Sequence, residues 1–229
     1  MLPYENSHSI PAFTNTTVSR NSTSVMCDVV VTGGDFFLFH DFNFKNGWYY
    51  TDTDLHSDRV VIDERLAFEL FGSNFAEDMT VTIGSEIYYV AGVVEYDKSR
   101  AKELQLGSEP MIFIPSHIAD RIFGERQYDS YEIMMQNPVD SYAVNALAAV
   151  TEGRETVDVT HRFGLGNIFD TLKEFPTRSY RSSSITYPYW ENAERGMEDI
   201  LAVLLVVNAL TAFGLVVNFI ILIIERKLK

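Results

Sequence analysis

Through the first two thirds of the chain, apolar residues come in short runs separated by Gly, Pro, Asn and Asp, the pattern of strands joined by tight connections. Residues 27–32, with Val29, Val30 and Val31, predict a strand, and Gly33-Gly34-Asp35 turns the chain. An aromatic segment from Phe36 to Phe44 follows, then the turn signal Asn46-Gly47, then Trp48-Tyr49-Tyr50. Val60, Val61 and Ile62 predict another strand. Asp63 is placed to cap a helix over 64–71 that turns Leu66, Ala67 and Leu70 inward, and Gly72 is placed to end it. Residues 79–83 and 87–94 predict two strands joined at Gly84-Ser85. Residues 111–114 predict a strand closed by Pro115, and 116–123 one or two helical turns. Residues 131–136, 139–150 and 156–160 read as a strand-helix-strand unit, with Val139, Tyr142, Ala143, Ala146 and Val150 on one side of its helix.

Other stretches lack this pattern. Residues 1–25, rich in Ser, Thr and Asn, read as a flexible segment. Residues 97–109 read as a loop or small helix. Residues 161–198, with Pro176, Ser182, Ser183, Ser184 and Pro188, read as a connector whose helix restarts near Trp190. Residues 26–160 form the predicted body. The fold class is α+β: a mixed, strand-rich domain with a strand-helix-strand unit, followed by one C-terminal transmembrane helix.

That helix is the strongest single signal. Residues 200–224 read ILAVLLVVNALTAFGLVVNFIILII, 25 residues without a charge. At 1.5 Å per residue they reach roughly 37 Å, enough to cross a hydrocarbon core of about 30 Å. The predicted span is 199–225, with a basic end at 226–229. Acidic residues dominate before it and Arg226, Lys227 and Lys229 follow it, so the C-terminus is expected in the cytoplasm and the body outside. Asn208 and Asn218, close to three turns apart, fall near one face with Ala212, the arrangement of a helix that packs in a bundle. Residues 1–21 carry no signal-peptide pattern. Either the chain is tail-anchored with its body in the cytoplasm, or a membrane helix precedes it.

Charge narrows the partners. The 229 residues hold 18 Lys and Arg against 32 Asp and Glu, a net −14 that argues against nucleic acid. A single cysteine, Cys27, excludes an intrachain disulfide framework. The five histidines show no metal-ligand spacing. Asp52, Asp54 and Asp58 lack the Gly and terminal Glu of a calcium loop. Neither Gly33-Gly34 nor Gly164-Leu165-Gly166 forms a phosphate-binding motif, and no GxSxG occurs. No catalytic, cofactor or metal site is legible. The aromatics at 36, 37, 39, 42, 44, 48, 49 and 50 read first as core, then as a partner edge, then as a ligand groove.

These residues carry a resemblance. Residues 29–37, Gly47, Asp54, residues 59–67 with Leu70-Phe71-Gly72, residues 79–84 and residues 88–94 look, in order and spacing, like the extracytoplasmic core domain of MacB/FtsX-like ABC transporter permeases. Residues 218–224 with Glu225-Arg226 resemble the membrane helix that follows that domain. The resemblance covers about 26–160 and 197–226. It implies a non-catalytic permease component, built as a strand-helix-strand subdomain with a second strand-rich subdomain inserted. It further implies a cytoplasmic ABC ATPase partner, a homodimer or companion permease chain, contact with membrane lipid, a peptide among the expected substrates, and Glu225 and Arg226 at the coupling end. Relative to that pattern the resemblance leaves out the first membrane helix, most of the opening half of the external domain, the third and fourth helices and the coupling segment after Glu225-Arg226, so the chain is expected to be a fragment, a split gene product or a subunit completed by another chain. The alternative is a single-span membrane-anchored binding or adaptor protein; a membrane-anchored enzyme has the least support.

Overall fold

The computed structural model describes residues 7–9, 11–51, 58–124, 130–135, 139, 141–148, 156–174 and 187–228. Contacts divide the chain into two units, Met1–Gln136 and Asn137–Lys229.

The first unit is built on a sheet of β2 (Ala12–Arg20), β3 (Thr23–Thr32), β4 (Phe44–Gly47), β5 (Arg59–Asp63), β6 (Thr80–Ile83), β7 (Glu86–Val94) and β8 (Met111–Pro115). Their order is β4-β7-β5-β8-β3-β2-β6, and β6 pairs with β7 as well. The sheet therefore closes on itself, with β6 on the first half of β7 and β4 on its second half. A further pair, β1 (Ser7–Ser9) and β9 (Glu132–Met134), stands apart from it. Inside the ring lie Val18, Val29, Ile62, Val81, Ile83 and Ile112, each at most 1% exposed. Helix α2 (Glu64–Phe71) presents Leu66, Ala67 and Leu70 to this core, capped by Asp63 at one end and ended by Gly72 at φ 72°.

The run Val29-Val30-Val31 does not alternate because β3 is buried on both faces. Val29 and Val31 enter the ring core. Val30, Val61 and Phe113, also fully buried, take the other side. Over Phe113 sit the rings of Phe36, Phe37 and Phe42, with centroids 5.0–6.1 Å away. Phe36 lies in the single helical turn α1 (Phe36–Phe39) and is 1% exposed. Of this segment Phe36 is core, and the rings of Phe37 and Phe42 are partly buried against it. Tyr50 is buried and its hydroxyl lies 2.6 Å from Thr32 Oγ1, while Trp48 remains 62% exposed.

Several expectations are corrected. Within 1–25, residues 12–20 are not flexible: β2 pairs with β3 along its whole length through the two-residue turn Asn21-Ser22, where Asn21 takes φ 53°. Its Thr and Ser side chains clad a strand whose Val18 is fully buried. Asn46-Gly47 makes no hairpin, because both residues lie within β4. Gly47 (φ 63°) and Gly92 let β4 and β7 approach: a Cβ on Gly92 would stand 2.5 Å from the Trp48 carbonyl oxygen, and one on Gly47 would collide with that of Ala91. Of the two readings given for 97–109, loop or small helix, the structure shows the helix: α3 (Arg100–Leu106), capped by Ser99. Helix α4 (Ser116–Phe123) covers the core with Ile118 and Ala119.

The second unit holds α5 (Tyr142–Ala148), α6 (Leu165–Glu174) and α7 (Tyr189–Leu228). The returning strand expected at 156–160 is absent; residues 156–159 take no regular structure. Asp158 Oδ1 instead accepts from Thr160 N at 2.9 Å and Thr160 Oγ1 at 2.5 Å, a local turn that competes with strand pairing. Nor does α5 bury a face: Tyr142 is 48% exposed and Val139 67%. Val150 and Ser182–Ser184 lie outside the described residues.

Candidate functional site

Buried ionisable groups are the first place to look for chemistry. At one end of the ring, Asp63 Oδ1 accepts from Leu66 N at 2.8 Å and Oδ2 accepts from Met111 N at 2.7 Å. Burial pushes its carboxyl up to about 6, against the pull of those two N–H groups. Lys102, fully buried on α3, donates from Nζ to Glu109 O at 2.6 Å and Gly107 O at 3.1 Å, and lies 3.8 Å from Asp28 Oδ2. Burial raises the Asp28 carboxyl, and Lys102 opposes that rise. Every Asp63 oxygen is spent on a backbone donor and Lys102 on two carbonyls. The cluster joins β5, α2, β8 and the 107–109 turn. Lys102 is missed by sequence reading, since a lysine in a polar stretch reads as solvated.

The other ionisable candidates are equally structural. Cys27 is fully buried, and burial pushes its thiol far up, which removes thiolate reactivity. His40 Nε2 lies 2.9 Å from Glu132 Oε2 and ties the segment after α1 to β9. Asp52, Asp54 and His56 lie outside the described residues, and among the described residues no three His, Cys, Asp or Glu side chains gather as a metal site would require.

The second unit is different in kind. Helix α7 runs 40 residues without interruption and is long and apolar enough to cross a membrane. Its apolar stretch is exposed almost throughout, unlike a core helix of a soluble protein. Asn208, Ala212 and Asn218 are all exposed on it, as are Glu225 and Arg226. The polar residues of the stretch share one seam: Leu204, Asn208, Thr211, Leu215, Asn218 and Leu222 follow at alternating spacings of four and three. Thr211 Oγ1 donates to Val207 O at 2.8 Å within the helix. Ala212 lies beside this seam.

Before the apolar stretch, α7 is held by its neighbours. Helix α6 packs on it, burying Ile168 and Thr171. Arg162 reaches two carboxylates of α7 two turns apart. One N–H of its guanidinium donates to Glu191 Oε1, and Nε lies 2.7 Å from Glu198 Oε1, an ion pair not aligned for a hydrogen bond. The three side chains are between 9% and 19% exposed. Asn192 Nδ2 donates to Tyr187 O at 3.2 Å, and Arg195 stacks over the Tyr187 ring at 4.4 Å. Helix α6 and this ion triad were not expected from sequence. The usable signal was the spacing of Leu165, Ile168, Phe169 and Leu172.

Among the described residues, a closed, mixed sheet without a reactive cluster, followed on the same chain by a helix long and apolar enough to cross a membrane, makes this an α+β protein with a candidate membrane span. The family model described as the MacB-like periplasmic core domain matches residues 3–157, and the chain belongs to that family. The match takes in β2, so the domain begins well before residue 26. Two solved structures share the fold. One is the extracellular domain of the noncanonic ABC-type transporter YknZ from Gram-positive bacteria, at 15% identity and TM-score 0.51, covering 66% of this chain and 77% of that one. The other is the periplasmic region of MacB from Actinobacillus actinomycetemcomitans, at 15% identity and TM-score 0.51, covering 66% of this chain and 68% of that one. No curated protein matches the chain.

Proposed function

We propose that the chain is a non-catalytic permease component of an ABC transporter that couples the ATP-driven motion of a partner ATPase to an extracytoplasmic domain, for efflux or mechanotransmission. The observation that carries this reading is the presence, on one chain, of a MacB-like periplasmic core domain and a 40-residue helix apolar enough to span a bilayer. In this reading α7 crosses the cell membrane with its basic end in the cytoplasm. Asn208, Ala212 and Asn218 face another membrane helix, from a second copy or a companion permease chain, and Glu225 and Arg226 form the coupling end. The acidic surface favours a cationic peptide substrate. Affinity for such a peptide weakens with added salt; salt-independent affinity would remove the electrostatic part.

Purification of the tagged full chain from its native membrane in mild detergent tests the proposal. An ABC ATPase co-purifies, and replacing Glu225 and Arg226 together by Ala reduces its recovery. Membrane-inserted chain with no ATPase in any detergent overturns the reading in favour of a single-span adaptor.

A further inference from the structure

We propose that α6 is an interfacial helix that rests its uncovered apolar side on the outer surface of the bilayer, beside the point where α7 enters it. The inference rests on the reading of α7 as a membrane span.

The composition of α6 sets two apolar sides next to each other. Ile168 and Thr171 are buried. Leu165 and Phe169, one turn apart, are 67% and 55% exposed, and Phe163 just before the helix is 53% exposed. The opposite side carries Asn167, Asp170 and Glu174, and Lys173 follows Phe169 one turn on, at the edge of the exposed apolar side. Packing on α7 therefore covers only part of the apolar arc, and two bulky aromatics and a leucine stay outside it.

The occupant follows from where this face sits along α7. Arg162, one residue before Phe163 and three before Leu165, is paired with Glu198 and, two turns earlier on α7, with Glu191. Glu198 precedes the uncharged stretch at residue 200 by two positions, about 3 Å of helix rise. Ala202, inside that stretch, is fully covered although almost all of its neighbours are exposed. With α7 as the span, these pairs set the start of α6 within two turns of the point where α7 passes from water into hydrocarbon, a position from which its exposed Phe and Leu side chains reach headgroup depth. An amphipathic helix with an aromatic-rich apolar side at that depth gains by shallow insertion into lipid. The short helix carries Asp170 and Glu174 against Lys173, so its attraction is to the apolar boundary of the bilayer and does not depend on anionic lipid.

Single spin labels test this in the full chain reconstituted into phosphatidylcholine vesicles. The native Cys27 is replaced by Ser, and labels are placed through Leu165→Cys, Phe169→Cys, Asp170→Cys, Glu174→Cys and, as a depth reference, Leu210→Cys. Circular dichroism of each variant checks that the helices are retained. The expected result is an inversion across α6: dissolved oxygen relaxes the labels at 165 and 169 more than a water-soluble nickel chelate does, and the chelate dominates at 170 and 174. If the labels at 165 and 169 favour the chelate while that at 210 favours oxygen, the interfacial role is wrong and the span reading stands. Labels at 165 and 169 shielded from both reagents show a protein partner on this face and likewise overturn the proposal. Chelate access at 210 overturns the span and the interfacial role together.

Discussion

Single residues in this chain act mainly through burial. Asp63 illustrates the electrostatic side. Its folded-state pKa, about 6, lies above the 3.8 of a free carboxyl, so the folded protein binds the proton more tightly than the unfolded chain does. Stability is therefore expected to fall as pH rises from about 4 to about 6 and to level off above that, as far as this residue is concerned. In Asp63→Asn the slope across that window flattens, which urea denaturation at a series of pH values would read. Lys102 illustrates the packing side. Lys102→Ala leaves two carbonyls and Asp28 buried without their cation, and is expected to cost about 3 kcal/mol in the same measurement. A loss below about 0.5 kcal/mol would mean that the lysine is solvated after all.

At the level of elements, close approach and pairing decide what is tolerated. Gly92→Ala would press a methyl group into the Trp48 backbone and part β4 from β7, at a cost of more than about 2 kcal/mol, with faster hydrogen exchange confined to those strands. Arg162→Ala leaves Glu191 and Glu198 facing each other half-dry; the loss, about 3 kcal/mol, should appear as faster exchange in α6 and the first turns of α7 with β2 through β8 unchanged. Where the pattern in the sequence was dense, it was enough. Asp63, Leu66, Ala67, Leu70 and Gly72 marked α2 end to end, and the Gly84-Ser85 junction marked the hairpin of β6 and β7. Where a strand is clad in Thr and Ser, as β2 is, its partner supplies the reason to form, and no local run of apolar residues announces it. The 156–160 segment failed the other way: Val157 and Val159 alternate like a strand, but they are 45% and 48% exposed and Asp158 closes a turn on Thr160. The candidate site followed the same division. Residues 200–224 announced themselves by their lack of charge, whereas the Arg162 triad joins positions 29 and 36 residues apart and leaves no spacing to recognise.

For the molecule as a whole, charge is uneven. Residues 1–136 hold 21 acidic and nine basic side chains, so most of the net −14 resides in the first unit. An acidic body of that kind is repelled by an anionic leaflet, which accords with the proposed orientation. Orientation can be read directly because Cys27 is buried and unreactive. With Glu69→Cys, exposed on α2, as the new thiol, a membrane-impermeant maleimide should label the chain on intact cells; labelling only after lysis would overturn the proposed topology. Helix α7 also has a mechanical meaning. Unbroken by proline, it is a rod of roughly 60 Å. In the proposed role a rod of that length would act as a lever: pivoted at one end, a tilt of about 10° would sweep the other by roughly 10 Å.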